Sequence, residues 1–253
     1  MSRRSEGDKE NLSNRQARKE EMRRRERQQR YFITGSLVVI LVVVLAFVIV
    51  PLVQNALNPG GDFIEVTPQA YANAKGKTIG DPNAKIKIEV FEDFKCSACK
   101  TYAQNVEPDL IKQITDRADI YYVFYNFPFL DDQSADKQSD RAANAAMCAV
   151  EQERFWDYKA ILFANQGAEA NSTFSTERLK AFASSLGLDT DAFAACLAEN
   201  RYQDVIDEEL ALGDQMGVSG TPSVFVNGKD VTPGRVPSVQ EIMQAVADAQ
   251  AAP

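Results

Sequence analysis

Residues 91–99 read FEDFKCSAC, and the last four of them, Cys96-Ser97-Ala98-Cys99, form a C-x-x-C pair. The pair lies between an alternating strand pattern and a helical pattern, so we expect a helix to begin at Cys96. Its sulfur would then lie at the positive end of the helix dipole, which stabilises a thiolate and lowers the pKa of the thiol. A cysteine of this kind exchanges disulfides. Half of a zinc site and a plain structural disulfide are the alternatives.

The chain has 253 residues, with four cysteines and no histidine. The lack of histidine excludes Ser-His-Asp and Cys-His catalysis and the common histidine-based metal sites. A zinc site made from all four cysteines is disfavoured, because Cys148 and Cys196 are isolated rather than a second C-x-x-C pair. We therefore expect no metal and no cofactor, and cysteine is the strongest candidate for a nucleophile.

The first 53 residues indicate a membrane anchor with a basic tail. Residues 1–30 carry 11 Lys/Arg and 6 Asp/Glu, a net charge of +5, and have no apolar face, which predicts a solvated or disordered tail. Residues 31–53 contain no charge. They would span about 34 Å as a helix, enough for a bilayer core of roughly 30 Å. The alternative is a cleaved signal peptide, but its apolar region would be shorter, about 7–15 residues.

The charges also predict orientation and exclude one class of partner. Arginine-rich flanks stay in the cytoplasm, so we expect a single-pass protein of the cell membrane with a cytoplasmic N-terminus and an extracytoplasmic domain. Residues 31–253 carry 17 Lys/Arg and 30 Asp/Glu, a net charge of −13. An acidic body of this kind argues against binding to nucleic acid.

After the anchor, the sequence predicts a linker at residues 54–77 that contains a short strand at 62–66. The order that follows is strand, helix, strand, helical block, strand, strand and helix. Strands are expected at 85–91, 119–127, 223–226 and from Val231, and helices at 96–117, within about 134–216, and at 237–249. Pro108 is expected to kink the first helix, and Asn227-Gly228 predicts a hairpin turn.

This order, with Gly220-Thr221-Pro222 before the third strand, resembles the thioredoxin fold with a helical insertion. The sequence is most similar to the DsbA-like family of extracytoplasmic thiol:disulfide oxidoreductases, in its membrane-anchored bacterial branch. The motifs that carry the resemblance are Gly80-Asp81-Pro82-Asn83-Ala84, residues 93–99, Phe155-Trp156 with Leu162-Phe163, and residues 217–222 with Val226-Asn227-Gly228. The resemblance implies an α/β domain at residues 78–253, of topology β-α-β…β-β-α, interrupted by an all-α insertion.

The resemblance also implies roles for the site residues. Cys96 would be the exposed nucleophile, and Cys99 would resolve the mixed disulfide. Pro222 would be cis and face the sulfurs, with the backbone of Thr221 available to an extended substrate segment. Between the cysteines, Ser97 and Ala98 replace the Pro-His or Pro-Tyr of strongly oxidising members. Stabilisation of the thiolate would therefore rest on Ser97 and the helix N-terminus.

A second departure concerns the acid that many members carry just before the strand's phenylalanine, because this chain has Val90 there. Glu92 and Asp93 are the candidates for proton transfer near Cys99. An equally good interpretation makes both of them solvated loop acids.

For Cys148 and Cys196 we favour a structural disulfide, because the compartment outside the membrane is oxidising. Some relatives have a similar second pair within the insertion. The alternative is two buried free thiols, which behave as small hydrophobic side chains.

The resemblance finally implies an enzyme that introduces disulfides into secreted or envelope proteins through the Cys96-Cys99 pair. Its substrates would be unfolded or reduced secreted proteins, and a membrane partner of the DsbB or vitamin-K-epoxide-reductase type would reoxidise it. The alternatives are a reductase or isomerase of the same fold, or a membrane-tethered binding module in which the C-x-x-C pair is only structural.

Overall fold

The structure, a computed structural model, describes residues 3–57, 60–68, 71–133, 137–167 and 173–252. It divides into two compact units, Met1–Leu57 and Asn58–Pro253. The first unit is one helix, α1 (Arg3–Leu57). Its part Met22–Val53 is long and apolar enough to cross a membrane. Residues 3–30 are helical, which a solvated tail permits. Arginine, lysine, glutamate and glutamine, which dominate the tail, are strong helix formers.

The second unit is built around a six-stranded mixed sheet in the order β1-β2-β4-β3-β5-β6. Its central strands β3 and β4 are parallel, and all other neighbours are antiparallel. The strands are β1 (Ala74–Lys75), β2 (Thr78–Gly80), β3 (Ile86–Glu92), β4 (Ile120–Asn126), β5 (Ser223–Val226) and β6 (Lys229–Asp230). Strand β3 is the one that leads into the C-x-x-C pair.

The helices of this unit lie after β3, between β4 and β5, and at the C-terminal end. They are α2 (Ser97–Asn105), α3 (Glu107–Ile114), α4 (Gln138–Val150), α5 (Phe155–Ala164), α6 (Thr176–Ser185), α7 (Thr190–Ala198), α8 (Gln203–Met216) and α9 (Val239–Ala251). Helices α4 to α8 form the expected insertion, which we call the helical block. Its predicted start at residue 134 lies outside the described residues.

The single helix expected at 96–117 is two helices. Helix α2 ends at Asn105, and α3 begins at Glu107 with Pro108 in its first turn. A proline is tolerated there because the first N–H groups of a helix have no partner within the helix. The break therefore precedes the proline instead of being a kink at it.

The predicted linker at 54–77 is partly docked on the helical block, and its expected strand at 62–66 is absent from the structure. The ring of Phe63 instead packs on Phe182 of α6, with centroids 5.0 Å apart. Asn165 pairs with both backbone groups of Ile64, at 2.7 Å each. The linker also contains β1, and its residues 58–59 and 69–70 lie outside the described part of the chain.

The last hairpin is tighter than expected. Asn227 and Gly228 both have positive φ, at 48° and 77°, as a two-residue hairpin turn requires. Val226 therefore pairs directly with Lys229, so the returning strand β6 begins at Lys229 and not at Val231.

Candidate active site

The C-x-x-C pair lies at the turn between β3 and α2, at the carboxyl end of a central strand. Cys96 is the N-cap residue of α2, has extended backbone geometry and is half-buried, whereas Cys99 is completely buried one turn into the helix. Both are free thiols. The sequence predicted this local arrangement, because a buried strand followed directly by a helix leaves its first side chain at the helix N-terminus.

The two thiols have opposite acidities. The pKa of Cys96 is lowered to about 5, chiefly by a hydrogen bond from the Cys99 thiol and against the effect of partial burial. The side chain of Thr221 and the backbone N–H groups of Cys99 and Ala98 lower it further. Burial raises the pKa of Cys99, and its hydrogen bond to Cys96 raises it further. Ser97, expected to help the thiolate, has an exposed side chain. The main stabilising group is therefore Cys99 itself.

The loop before β5 faces the nucleophile candidate. The Thr221–Pro222 peptide bond is cis, and the thiol of Cys96 donates to the carbonyl oxygen of Thr221 at 3.2 Å. The hydroxyl of Thr221 is buried and has no hydrogen-bond partner within the described residues. When Cys96 ionises, it can no longer donate to the carbonyl, and the Thr221 hydroxyl, which contributes to the lowered pKa of Cys96, can donate to the thiolate instead.

Neither candidate for proton transfer is a solvated loop acid, because Glu92 and Asp93 are both buried. The carboxylate of Asp93 accepts three hydrogen bonds. One of its oxygens accepts from the backbone of Lys95 and the hydroxyl of Ser139, both at 2.7 Å, and the other accepts from the backbone of Leu130 at 3.1 Å. These bonds give Asp93 a structural task at the base of the turn.

Glu92 lies in a buried charge cluster with Lys159 and Glu107. Lys159 forms ion pairs with both carboxylates, and the hydroxyl of Tyr122 donates to Glu107 at 2.6 Å. Burial raises the pKa of Glu92. The negative charge of Glu92 in turn contributes to the raised pKa of Cys99. Glu92 and the buried thiol of Cys99 therefore interact electrostatically.

The sequence interpretation missed Lys159 and Glu107. A signal for Lys159 was present, because it is the one lysine within the apolar helix FWDYKAILFA, and a buried lysine needs an anionic partner. Nothing in the sequence near Glu107 indicates that it faces the same point. The two residues come from α5 and α3, and only the fold brings them together.

The other two cysteines form a disulfide between α4 and α7. The Cys148–Cys196 bond is buried, with its Cα atoms 5.9 Å apart. This is the pairing that the sequence favours over two free thiols. The C-x-x-C pair is thus separate from the disulfide that fastens the helical block.

Comparisons with known proteins agree with this geometry. A family model described as thioredoxin matches residues 72–245. The probable disulfide bond formation protein D of Bacillus cereus is 25% identical over 167 residues, 65% of this chain and 76% of that protein. The Na⁺/H⁺ antiporter NhaA 1 of Salinispora arenicola is 33% identical over 150 residues, 59% of this chain but 21% of that protein.

Among solved structures, oxidised BdbD from Bacillus subtilis matches with a TM-score of 0.60 at 21% identity, over 75% of this chain and 98% of that chain. The thioredoxin-like α/β fold expected from the sequence is therefore confirmed. On the family match, the fold and the relatives together, the chain belongs to the thioredoxin family, as a DsbA-like thiol:disulfide oxidoreductase.

Proposed function

We propose that the chain is an extracytoplasmic disulfide oxidase that introduces disulfides into secreted or envelope proteins through Cys96 and Cys99. The observation that carries the proposal is the asymmetry of the pair, with the pKa of Cys96 lowered to about 5 and that of Cys99 raised. A stable thiolate favours the reduced form of the pair, so the oxidised pair readily accepts electrons. The Bacillus cereus relative is named for disulfide bond formation.

The reaction begins with Cys96 and Cys99 joined in a disulfide. A substrate thiolate attacks the sulfur of Cys96, forms a mixed disulfide and releases Cys99 as a thiolate. Cys99 takes up a proton, because its pKa is high. A second substrate thiolate then attacks the substrate sulfur of the mixed disulfide and releases Cys96 as a stable thiolate. The substrate gains one disulfide and loses two electrons, which remain on the two reduced cysteines.

We assign proton exchange with Cys99 to Glu92. Its raised pKa makes it able to carry a proton near neutral pH, and its charge acts on Cys99. Asp93 is not needed for this step, because its carboxylate is held by three hydrogen bonds.

The substrate segment would bind along the loop at Thr221 and Pro222. The Thr221 carbonyl lies next to the Cys96 sulfur, and Pro222 has no N–H to disturb it. Val218, just before this loop, belongs to an apolar cluster whose partly exposed members are Tyr125, Phe129, Leu210, Leu212 and Met216. Unfolded secreted chains, which expose apolar side chains, fit such a surface.

The chain would be a single-pass membrane protein, with a cytoplasmic tail at 1–30, the span at 31–53, a connecting segment at 54–77 and the catalytic domain at 78–253 outside. The helix Met22–Val53, which is long and apolar enough to cross a membrane, supports the anchor. The arginines at its N-terminal end support the orientation. A membrane-embedded oxidant of the DsbB or vitamin-K-epoxide-reductase type would reoxidise the pair after each turnover.

The deciding experiment measures the reduction potential of the Cys96–Cys99 pair in the full-length protein in detergent. Reference values are about −120 mV for DsbA and about −270 mV for thioredoxin. A value near the first supports the oxidase, and a value near the second supports a reductase. The same preparation should oxidise a reduced, unfolded model protein, and Cys96→Ser should abolish this activity. A wild-type protein without any thiol exchange would instead be a binding module.

A further inference from the structure

Gln166 connects the helical block to the C-x-x-C turn. It follows the C-terminal end of α5, and its side-chain Nε2 donates to the carbonyl oxygen of Phe94 at 2.7 Å and to that of Cys96 at 2.9 Å. Both carbonyls belong to the short segment that presents the Cys96 sulfur. One amide group therefore holds two backbone groups of the turn at once.

A second contact runs in the opposite direction. Lys100, one turn into α2, donates from Nζ to the carbonyl oxygens of Ala164 and Gln166, at 3.4 Å each. Its backbone N–H donates to the carbonyl of Cys96 at 3.1 Å. The Cys96 carbonyl thus accepts one bond from its own helix and one from Gln166. Gln166 and Lys100 therefore both connect the active-site helix α2 to the end of α5.

The backbone at Gln166 is held in place by the preceding residue, Asn165. Asn165 is buried, and its Nδ2 donates to the carbonyl of Ile161 in the last turn of α5 at 2.9 Å. The same amide exchanges two hydrogen bonds with the backbone of Ile64, at 2.7 Å each. The position of the Gln166 backbone is therefore set by α5 and by the docked segment around Ile64.

We propose that Gln166 is a positioning residue for the reaction of Cys96. By holding the Phe94 and Cys96 carbonyls, it keeps the Cys96 sulfur over the N-terminus of α2, where the thiolate is stabilised. Its N–H groups also offset the partial negative charge of two carbonyl oxygens in the segment that carries the thiolate. The inference rests on the proposed role of Cys96 as the nucleophile, and it gives the helical block a part in setting the reactivity of the pair.

The test is the pH dependence of Cys96 alkylation by iodoacetamide, followed by peptide mass spectrometry on the reduced full-length protein. Gln166→Met keeps the length of the side chain and removes its donor; Gln166→Glu places a carboxylate opposite two carbonyl oxygens. For Gln166→Met we expect the midpoint to rise by about half a pH unit or more, an about threefold fall in the thiolate-to-thiol ratio. Gln166→Glu should shift it further in the same direction.

Gln152→Met is the matched control. Gln152 exchanges two hydrogen bonds with the backbone of Asp189, at 2.7 and 3.2 Å, and makes none to residues 93–96 in the described chain. The Gln152→Met variant should have lower stability and an unchanged alkylation midpoint. An unchanged midpoint in Gln166→Met, whatever its stability, overturns the proposal. If that variant does not fold, Gln166→Asn replaces it, because its amide is one methylene too short to reach the two carbonyls. The same rise in the alkylation midpoint is then expected, and an unchanged midpoint overturns the proposal.

This readout is independent of oxidase activity. A wild-type protein that alkylates at low pH but oxidises no substrate would overturn the proposed function and leave the role of Gln166 in place. Normal oxidase activity with an unmoved midpoint in the Gln166 variants would do the reverse.

Discussion

The Nζ atom of Lys159 lies 3.0 Å from a carboxylate oxygen of Glu92, and the two side chains are only 2% and 0% exposed. The same Nζ is paired with Glu107 and lies 5.2 Å from the ring centre of Phe124 and 5.6 Å from that of Trp156. One buried cation thus serves two buried carboxylates. The cluster would carry a net negative charge if both were ionised, and protonation of Glu92 relieves it, in agreement with its raised pKa.

Lys159→Met should destabilise the protein by about 3–5 kcal/mol, because it leaves the buried acids Glu92 and Glu107 without their cation. Urea denaturation measures the loss. The deficit should shrink as the pH falls towards about 4.3, the ordinary pKa of glutamate, since protonated carboxyl groups need no cation.

Lys112→Met is the control for this substitution. Lys112 pairs with Asp109 at 2.9 Å on the surface, where the side chains are 75% and 65% exposed. Its loss should change stability by no more than about 0.5 kcal/mol. If Lys159→Met is equally mild, Lys159 does not neutralise buried carboxylates in the folded protein.

Glu92→Gln should be better tolerated than Lys159→Met, because Lys159 keeps Glu107 as its partner. Its main effect should be kinetic. Without the proton carrier that we assign to Cys99, reduction of the Cys96–Cys99 disulfide by a small thiol should slow by up to about a hundredfold, at the low end of acid–base contributions. Stopped-flow fluorescence of Trp156, the one tryptophan of the chain, can follow the step.

Asp93→Asn provides the comparison. It perturbs a carboxylate that joins the turn after β3 to Leu130 and Ser139, so it should lower stability while the rate per folded molecule stays close to wild type. Equal rates in Glu92→Gln and wild-type protein would remove Glu92 from the mechanism.

The central strands were predictable because their own residues carry the signal. Alternation of apolar residues placed β3 within a residue or so, and a β-branched and aromatic run did the same for β4. Strand β5 was predicted at its observed bounds. The edge strands were not predictable, because they have two or three residues and exist through pairing, as in the match of Thr78 with Val123. The strand predicted at 62–66 was wrong for a related reason. An apolar residue such as Phe63 fits a strand in a sheet as well as a segment packed on a helix, and here it packs on Phe182.

The site divides in the same way. The order of motifs along the chain located Cys96, Cys99 and Pro222, because each is tied to the start of a helix or a strand. The surroundings of Glu92 depend on Glu107 and Lys159, which reach it from other elements, so burial and charge pairing could not be deduced from neighbours in sequence. Only the fold distinguishes a solvated acid from one enclosed with a lysine.

Gly213→Ala should destabilise the protein although alanine is the better helix former by about 1 kcal/mol. A Cβ at this position in α8 would lie 2.5 Å from a ring carbon of Phe127. Overpacking of this kind costs about 1–3 kcal/mol. Thermal denaturation should therefore show a lower midpoint, and a higher one would mean that Phe127 can move aside without cost.

Replacing both Cys148 and Cys196 by alanine should cost about 4 kcal/mol of stability on the chain-entropy model, since the bond joins residues 48 apart in sequence. Urea denaturation of the oxidised proteins measures the difference. Thiol exchange should be retained per folded molecule, because this disulfide is separate from the C-x-x-C pair. Loss of exchange in a folded double variant would assign it a redox role.

The stability of the reduced pair should depend on pH through Cys96. Its pKa in the folded protein, about 5, lies below the value of an unfolded thiol, about 8.5. The ionised thiol therefore stabilises the reduced fold fully above about pH 8.5, and this contribution is lost as the pH falls through about 5. The oxidised fold has no such thiol. The stability of the reduced protein relative to the oxidised protein should thus fall on acidification, measured by urea denaturation in the Cys148→Ala/Cys196→Ala background. If the difference in stability between the reduced and oxidised proteins does not change with pH, Cys96 is an ordinary thiol. The stable thiolate that drives the proposed oxidase reaction would then be absent.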